Sequence, residues 1–323
     1  CSPKDFETMM QLTYLTFTAP RRDDDAFASY KNRSKAELQN MDLNPSSSFS
    51  DSITSTLYSK HPRTLRMKAD MVDKMNYDKI LSMYQDRFKD ASDFTFILVG
   101  NVDVEAVKPL IESYLGSLPS INRKETFKDN HIAMRKGICK NEFIRQQETP
   151  KVNNFICYSG TCKYNLRNEI LMSMTDQLLN FIYTEKVRED EGGTYGVYPM
   201  GQLIKYPTEK AVLQIFFNTA PDKQEKLIKI IYDEAEAFAK NGPDEASLNK
   251  VKEYMLKKHS EDLKENGYWL NSIDEYLYTG IDPVKDYEQI INSITPKDVQ
   301  QFANELLKQK NQITVSMISP EKK

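Results

Sequence analysis

A chain of 323 residues is longer than one hydrophobic core usually supports, so two domains of ordinary size are expected. Its 39% hydrophobic and 28% charged residues are the balance of a water-soluble globular protein, and no apolar run approaches the roughly 20 residues needed to cross a bilayer. A net charge of −3 offers no general attraction to nucleic acid or anionic lipid, so neither nucleic-acid binding nor membrane insertion is expected.

Residues 3–18 read as a helix, with Pro3 in the first turn and Phe6, Met9, Met10 and Tyr14 at apolar positions. A second helix is expected at 26–38, and a Ser-rich patch at 46–52 separates it from further helical segments. Asn76 caps a helix carrying Ile80, Tyr84 and Phe88. The alternation of Phe94, Phe96 and Leu98 predicts a half-buried strand at 94–99. Gly100 ends it, and a helix at 104–114 follows, closed by Gly116 and Pro119. The polar stretch 120–140 is the best linker candidate. Beyond it the pattern predicts a strand at 152–158, a long helix at about 165–188, strands at 195–203 and 211–218, several helices and a closing strand at 313–318. The helix at 246–263 is heavily charged, and its mixture of Lys and Glu reads as a solvated face.

Part of this order occurs twice. Pro3 aligns with Pro221 and Ile80 with Val299, offsets of 218 (221 − 3) and 219 (299 − 80), so nearly a hundred positions need almost no slippage. Tyr14 falls on Tyr232, Phe88 on Leu307, and Phe94, Phe96 and Leu98 on Ile313, Val315 and Met317. A repeat this long implies homologous domains rather than a solenoid, whose units run roughly 20–50 residues. Residues 152–219 precede the repeated part in the second copy and have no counterpart in the first. The expected fold is therefore α+β, with two homologous domains whose helices pack on one face of a mostly antiparallel sheet. The expected division is a helix-rich domain truncated at its N-terminus (1–125), a linker (126–145) and a complete domain (146–323).

Four cysteines, Cys1, Cys139, Cys157 and Cys162, are too few to staple a chain of this size, and Cys157 reads as a buried structural thiol on a strand. His61, His131 and His259 are widely separated and have no metal-ligand spacing. They read as surface or capping residues, and no metal site is assigned.

The segment Val187-Arg188-Glu189-Asp190-Glu191-Gly192-Gly193-Thr194-Tyr195-Gly196-Val197 carries the candidate chemistry. A long helix ends there, two glycines let the backbone turn through positive φ, and a strand begins at once. Arg188 offers a fixed fork of donors for a carbonyl or carboxylate, and the Tyr195 hydroxyl can donate to a developing oxyanion. The same residues also fit a helix C-cap with its favourable terminal Arg and an ordinary strand tyrosine. The motif alone leaves both readings open.

That segment, together with Ser2-Pro-Lys-Asp-Phe-Glu-Thr8, Thr18-Ala-Pro-Arg-Arg-Asp23 and Phe94-Thr-Phe-Ile-Leu-Val-Gly-Asn-Val-Asp103, resembles the C-terminal half of a pitrilysin/insulinase-type zinc metallopeptidase of the long, single-chain bacterial kind. The resemblance implies a clamshell of four homologous α+β domains, of which this chain would be most of the third and all of the fourth. Its zinc would lie in the N-terminal half, on an inverted H-x-x-E-H helix that this chain does not contain, leaving no cofactor here and no peptidase activity for the chain alone. The implied partners are that N-terminal half and a peptide substrate. Arg188 and Tyr195 would hold the substrate backbone, and Tyr195 would stabilise the transition state. The resemblance favours a bacterial periplasm or cell envelope over the cytoplasm. It also admits a non-catalytic structural or interaction subunit, of the processing-peptidase and respiratory-core kind.

Overall fold

The computed structural model describes residues 1–189 and 191–320. In chain order the first helices are α1 (Phe6–Thr18), α2 (Asp24–Leu43), α3 (Pro45–Leu57), α4 (Ala69–Val72), α5 (Tyr77–Phe88) and α6 (Val104–Tyr114). Asn44 caps α3 by accepting from the Ser46 N–H, Asn76 caps α5 from the Lys79 N–H, and Asp103 caps α6.

The chain divides into two compact units. The first comprises Cys1–Leu43, Met67–Lys128 and Trp269–Ile273. Phe6, Met10, Phe17, Leu38 and Val72 form its interior, and Phe17 meets Phe88 and Phe94 edge-on at 5.0 and 4.9 Å. Asp90, fully buried just after α5, accepts the backbone N–H groups of Ser92, Ile121 and Arg123. Burial opposes its charge, yet these donors and the Ser92 hydroxyl outweigh it and hold the carboxyl well below the usual carboxylate range. This one acid thereby ties the end of α5 to the segment that follows α6.

Residues 94–99 form no strand, contrary to the expectation from their alternation. Strand geometry needs a neighbour to take up N–H and C=O groups, and no segment among the described residues supplies one. Phe96 and Leu98, expected in the core, are left partly exposed.

The second unit comprises Asn44–Arg66, Asp129–Tyr268 and Asp274–Lys323. It is built from β1 (Ile138–Ile144), β2 (Lys151–Thr161), α7 (Leu166–Tyr183), β3 (Val197–Ile204), β4 (Lys210–Thr219), α8 (Gln224–Asn241), α9 (Glu245–Asp262), the two ends of α10 (Asn266–Thr279), α11 (Tyr287–Ser293), α12 (Pro296–Leu307) and β5 (Gln312–Ser319), with α3 added from earlier in the chain. The sheet order is β1-β5-β2-β4-β3. β1 runs parallel to β5, and the other three pairings are antiparallel.

One sheet face, with Ile156, Ala211, Leu213, Ile215 and Phe217, packs against α7, α8 and α12 in the main core. Alternation sends Phe155, Cys157, Val212, Ile313 and Val315 to the other face, where Ile53 and Leu57 of α3 cover them. Asn141 of β1 fixes α3 by donating to the hydroxyls of Ser52 and Thr56 at 3.0 and 2.8 Å.

Two features depart from the expected division. The stretch 126–145 contains β1 rather than a simple connection, because its polar residues suit an edge strand with one exposed side. The region before 125 also gives up α3, whose apolar stripe the sheet requires. Helix for helix, however, the expected offset reappears: α1, α2, α3, α4 and α5 correspond in position to α8, α9, α10, α11 and α12, and residues 94–99 correspond to β5.

Candidate functional site

The Arg188–Tyr195 loop is positioned by elements on both sides. α7 begins where Asn165 accepts from the Asn168 N–H and then buries Ile170, Met174, Leu178 and Tyr183. Its continuation, Thr184–Glu189, widens into a π-helical turn, and Val187 within that turn is fully buried. Such turns shift the register of one helical face without ending the helix. Here the shift keeps Val187 in the core while Arg188 emerges.

The Gly192 N–H closes the turn on the Arg188 carbonyl at 3.1 Å, and Gly192 itself takes φ 57, where an L side chain is strained. At Gly193 the requirement is space, since a Cβ there would sit 2.8 Å from Leu227 Cδ1 of α8. The Gly193 carbonyl accepts from Thr219 Oγ1 at 2.7 Å, and the Glu191 carbonyl accepts from Lys223 Nζ at 3.2 Å. Lys226 pairs with the Glu191 carboxylate at 2.5 Å. Thr194 Oγ1 then bonds the backbone of Gly196, and the buried Val197 begins β3.

On this anchored frame the two expected site residues face outward. Arg188 lies on the π-helical turn, half exposed, with Nη2 3.0 Å from Glu189 Oε1. A surface pair of this kind holds a side chain only weakly. Tyr195 precedes β3 rather than lying in it, is 92% exposed, and has no hydrogen-bond partner among the described residues. It therefore does no strand packing. Asp190, between them, lies outside the described residues.

The three histidines are in different surroundings. His61 Nε2 is 3.1 Å from the Asn130 carbonyl, and the exposed His131 lies beside Asp129. His259 differs from the expected surface or capping role: it is buried, stacked on Tyr287 at 4.4 Å and bonded through Nδ1 to the Tyr268 hydroxyl. Among the described residues no group of three or more His, Cys, Asp or Glu is placed to hold a metal ion, so the side chains present do not fit a zinc site. Among them, too, no helix is long and apolar enough to cross a membrane. Cys157 is buried, and desolvation pushes its thiol up to about 12, which leaves it unreactive at neutral pH.

Two acids on α7 went unnoticed in the sequence. Burial raises Asp176 to about 6, against the opposing N–H of Gly201, which its Oδ2 accepts at 3.0 Å. Burial also raises Glu169, to about 7; the Tyr164 hydroxyl works against the shift, and the Glu275 carboxyl beside it works with it. The sequence gives no signal for either, because whether a helical acid is solvated depends on the element that packs against it.

A family model described as the peptidase M16 inactive domain matches residues 74–255. The chain belongs to this family. Among curated M16 relatives, it is 21% identical over 311 residues to the probable zinc protease PqqL of Escherichia coli, covering 93% of this chain and 32% of that protein. It is 24% identical over 294 residues to a PQQL-like zinc protease of Arabidopsis thaliana, covering 83% of this chain and 30% of the relative. The chain thus spans about a third of the length of the curated relatives it matches. Its fold matches the crystal structure of the periplasmic protease PqqL from E. coli, with TM-score 0.84 and 18% identity over 98% of this chain and 35% of that one. A protease from Helicobacter pylori matches with TM-score 0.82 and 16% identity, covering 98% of this chain and 78% of its own. The first half of E. coli PqqL, solved separately, also matches, with TM-score 0.76 and 14% identity over 98% of this chain and 71% of that one. The M16 fold of this chain therefore recurs within that first half.

Proposed function

We propose that this chain is the substrate-binding, zinc-free part of an M16 peptidase, with Arg188 and Tyr195 as its contacts to the peptide. The observation that carries this reading is Tyr195: a tyrosine 92% exposed, unpartnered among the described residues, and held on a loop whose neighbours are fixed by Thr219 of β4 and Lys226 of α8. An exposed aromatic on an anchored frame costs little reorganisation when it meets a ligand. Its hydroxyl can donate to the oxygen of a tetrahedral intermediate, and the weakly held Arg188 can exchange Glu189 for a peptide carbonyl. The zinc would be held by a separate, N-terminal half of the same protein, the implied partner. The relatives' description as zinc proteases supports that assignment, and the likeness to E. coli PqqL, a periplasmic protease, supports a periplasmic setting.

The test is kinetic and uses the full-length protein. Tyr195→Phe removes a single hydroxyl and should lower kcat by roughly 10²-fold, in line with loss of one oxyanion donor. Arg188→Ala should raise KM as well, because a backbone anchor acts in the ground state too. Both should leave the melting temperature unchanged. Wild-type kinetics in both variants would remove the proposed role.

A further inference from the structure

α7, β3 and α9 enclose an open pocket of about 800 Å³ that contains neither Arg188 nor Tyr195. Its rim is Phe181, Tyr198, Met200 and Tyr254, all substantially exposed large side chains. Its wall holds one ionisable carboxyl, Asp176. No Lys or Arg lines the pocket, and no cation among the described residues pairs with Asp176.

Asn180 and the hydroxyls of Ser173, Tyr198 and Tyr254 can donate or accept, but the groups nearest Asp176 are acceptors. Gln177 directs Nε2 to the carbonyl and hydroxyl of Ser173, both at 3.2 Å, which leaves its Oε1 to accept. Among the described residues β3 pairs with β4 alone, and its other edge has no strand beside it. Gly201 gives its N–H to Asp176 instead of to β4, which places the N–H groups of odd-numbered β3 residues on that edge. Pro199, two residues earlier, has none to give. Between 199 and 201 the edge therefore offers carbonyls without free donors. An added strand needs both, so β-strand addition is disfavoured here and a side chain is the better-matched occupant.

Acceptors, one carboxylate and aromatic faces together suit a group that is cationic, planar and donor-only. A guanidinium has five N–H donors, no acceptor, and a flat face that stacks on aromatic rings. An ammonium lacks that face. We propose that this pocket receives an arginine side chain of an extended peptide, its guanidinium paired with Asp176 and stacked against the aromatic rim.

The test titrates the ¹⁵N-labelled chain with acetyl-alanyl-arginyl-alanine amide, following the Gly201 amide by NMR. The arginyl peptide should shift Gly201, and the citrulline analogue, neutral but nearly isosteric, should bind at least about tenfold more weakly, as expected for loss of a charge-assisted pair. Asp176→Asn keeps an acceptor for the Gly201 N–H and should bring the two peptides to within about twofold of each other. Tyr254→Ala should weaken the arginyl peptide severalfold through lost stacking. Tyr195→Phe should change nothing, which separates this pocket from the Arg188–Tyr195 proposal. Equal binding of the arginine and citrulline peptides to the wild-type chain, or absence of any shift at Gly201, would overturn it.

Discussion

Glu169, on the first turn of α7, lies beside Glu275 of α10, and Tyr164 bonds Glu275 at 2.8 Å. Burial and the neighbouring carboxyl raise Glu169 to about 7, whereas an unfolded chain releases that proton near pH 4.3. Below the unfolded value both states hold the proton and the contribution to stability is fully present. Between the two values the folded state alone keeps it, so stability falls as pH rises, and the loss is complete above the folded value. Solvent reaches part of the group, so the effect is on the order of 1 kcal/mol. Urea unfolding of wild type and Glu169→Gln should show the wild type losing stability relative to the variant between pH 5 and about 7.5. A pH-independent difference would show that the folded state does not hold the Glu169 proton. Residues of this kind were not legible in the sequence, because an acid on a helix is solvated or strained according to which element packs on it. The turn at Gly192-Gly193 was legible, since adjacent glycines between a helix and a strand mark where the backbone passes through positive φ.

At the scale of elements, periodicity located most helices within a few residues, and the Tyr195 strand began only two residues late, at Val197. It failed where an element's state depends on a distant partner. Residues 94–99 have the alternation of a strand and no strand beside them among the described residues, while β1 was hidden in a polar stretch that β5 pairs along one edge. α3 is the sharpest case, because its Ser-rich sequence reads as a spacer although Ile53 and Leu57, four residues apart, form a narrow apolar stripe. Leu57 is buried against the sheet, so Leu57→Ala should destabilise the second unit by about 2–4 kcal/mol. Leu12→Ala, at an exposed position on α1, should change stability by less than about 0.5 kcal/mol. Urea unfolding compares them directly, and similar effects would mean that α3 contributes no more to the core than a surface turn.

For the molecule as a whole, the composition of the second unit decides which pieces of the chain can stand alone. A division at the expected linker would separate Asn44–Arg66 from Asp129–Tyr268 and Asp274–Lys323, although all three belong to one unit. The residues under α3, Phe155, Cys157, Val212, Ile313 and Val315, are all nearly or fully buried. Exposing a large apolar side chain costs about 1.5–3 kcal/mol, so uncovering this face removes a sizeable part of an ordinary domain's stability. A fragment of residues 129–323 should therefore bind the dye ANS and self-associate, despite having all five strands of the sheet. A synthetic peptide of residues 44–66 carries the whole of α3 together with Asp51 and Arg66, which pair at 2.8 Å. Added to the fragment, it should suppress dye binding and restore a monodisperse particle by light scattering. A control peptide with Ile53 and Leu57 both changed to Ser should do neither, because it keeps the helix cap at Asn44 and loses the apolar stripe. If the fragment alone were monomeric, silent to the dye and unaffected by the peptide, α3 would be an ornament on the sheet, and the boundary near residue 145 would be the true one.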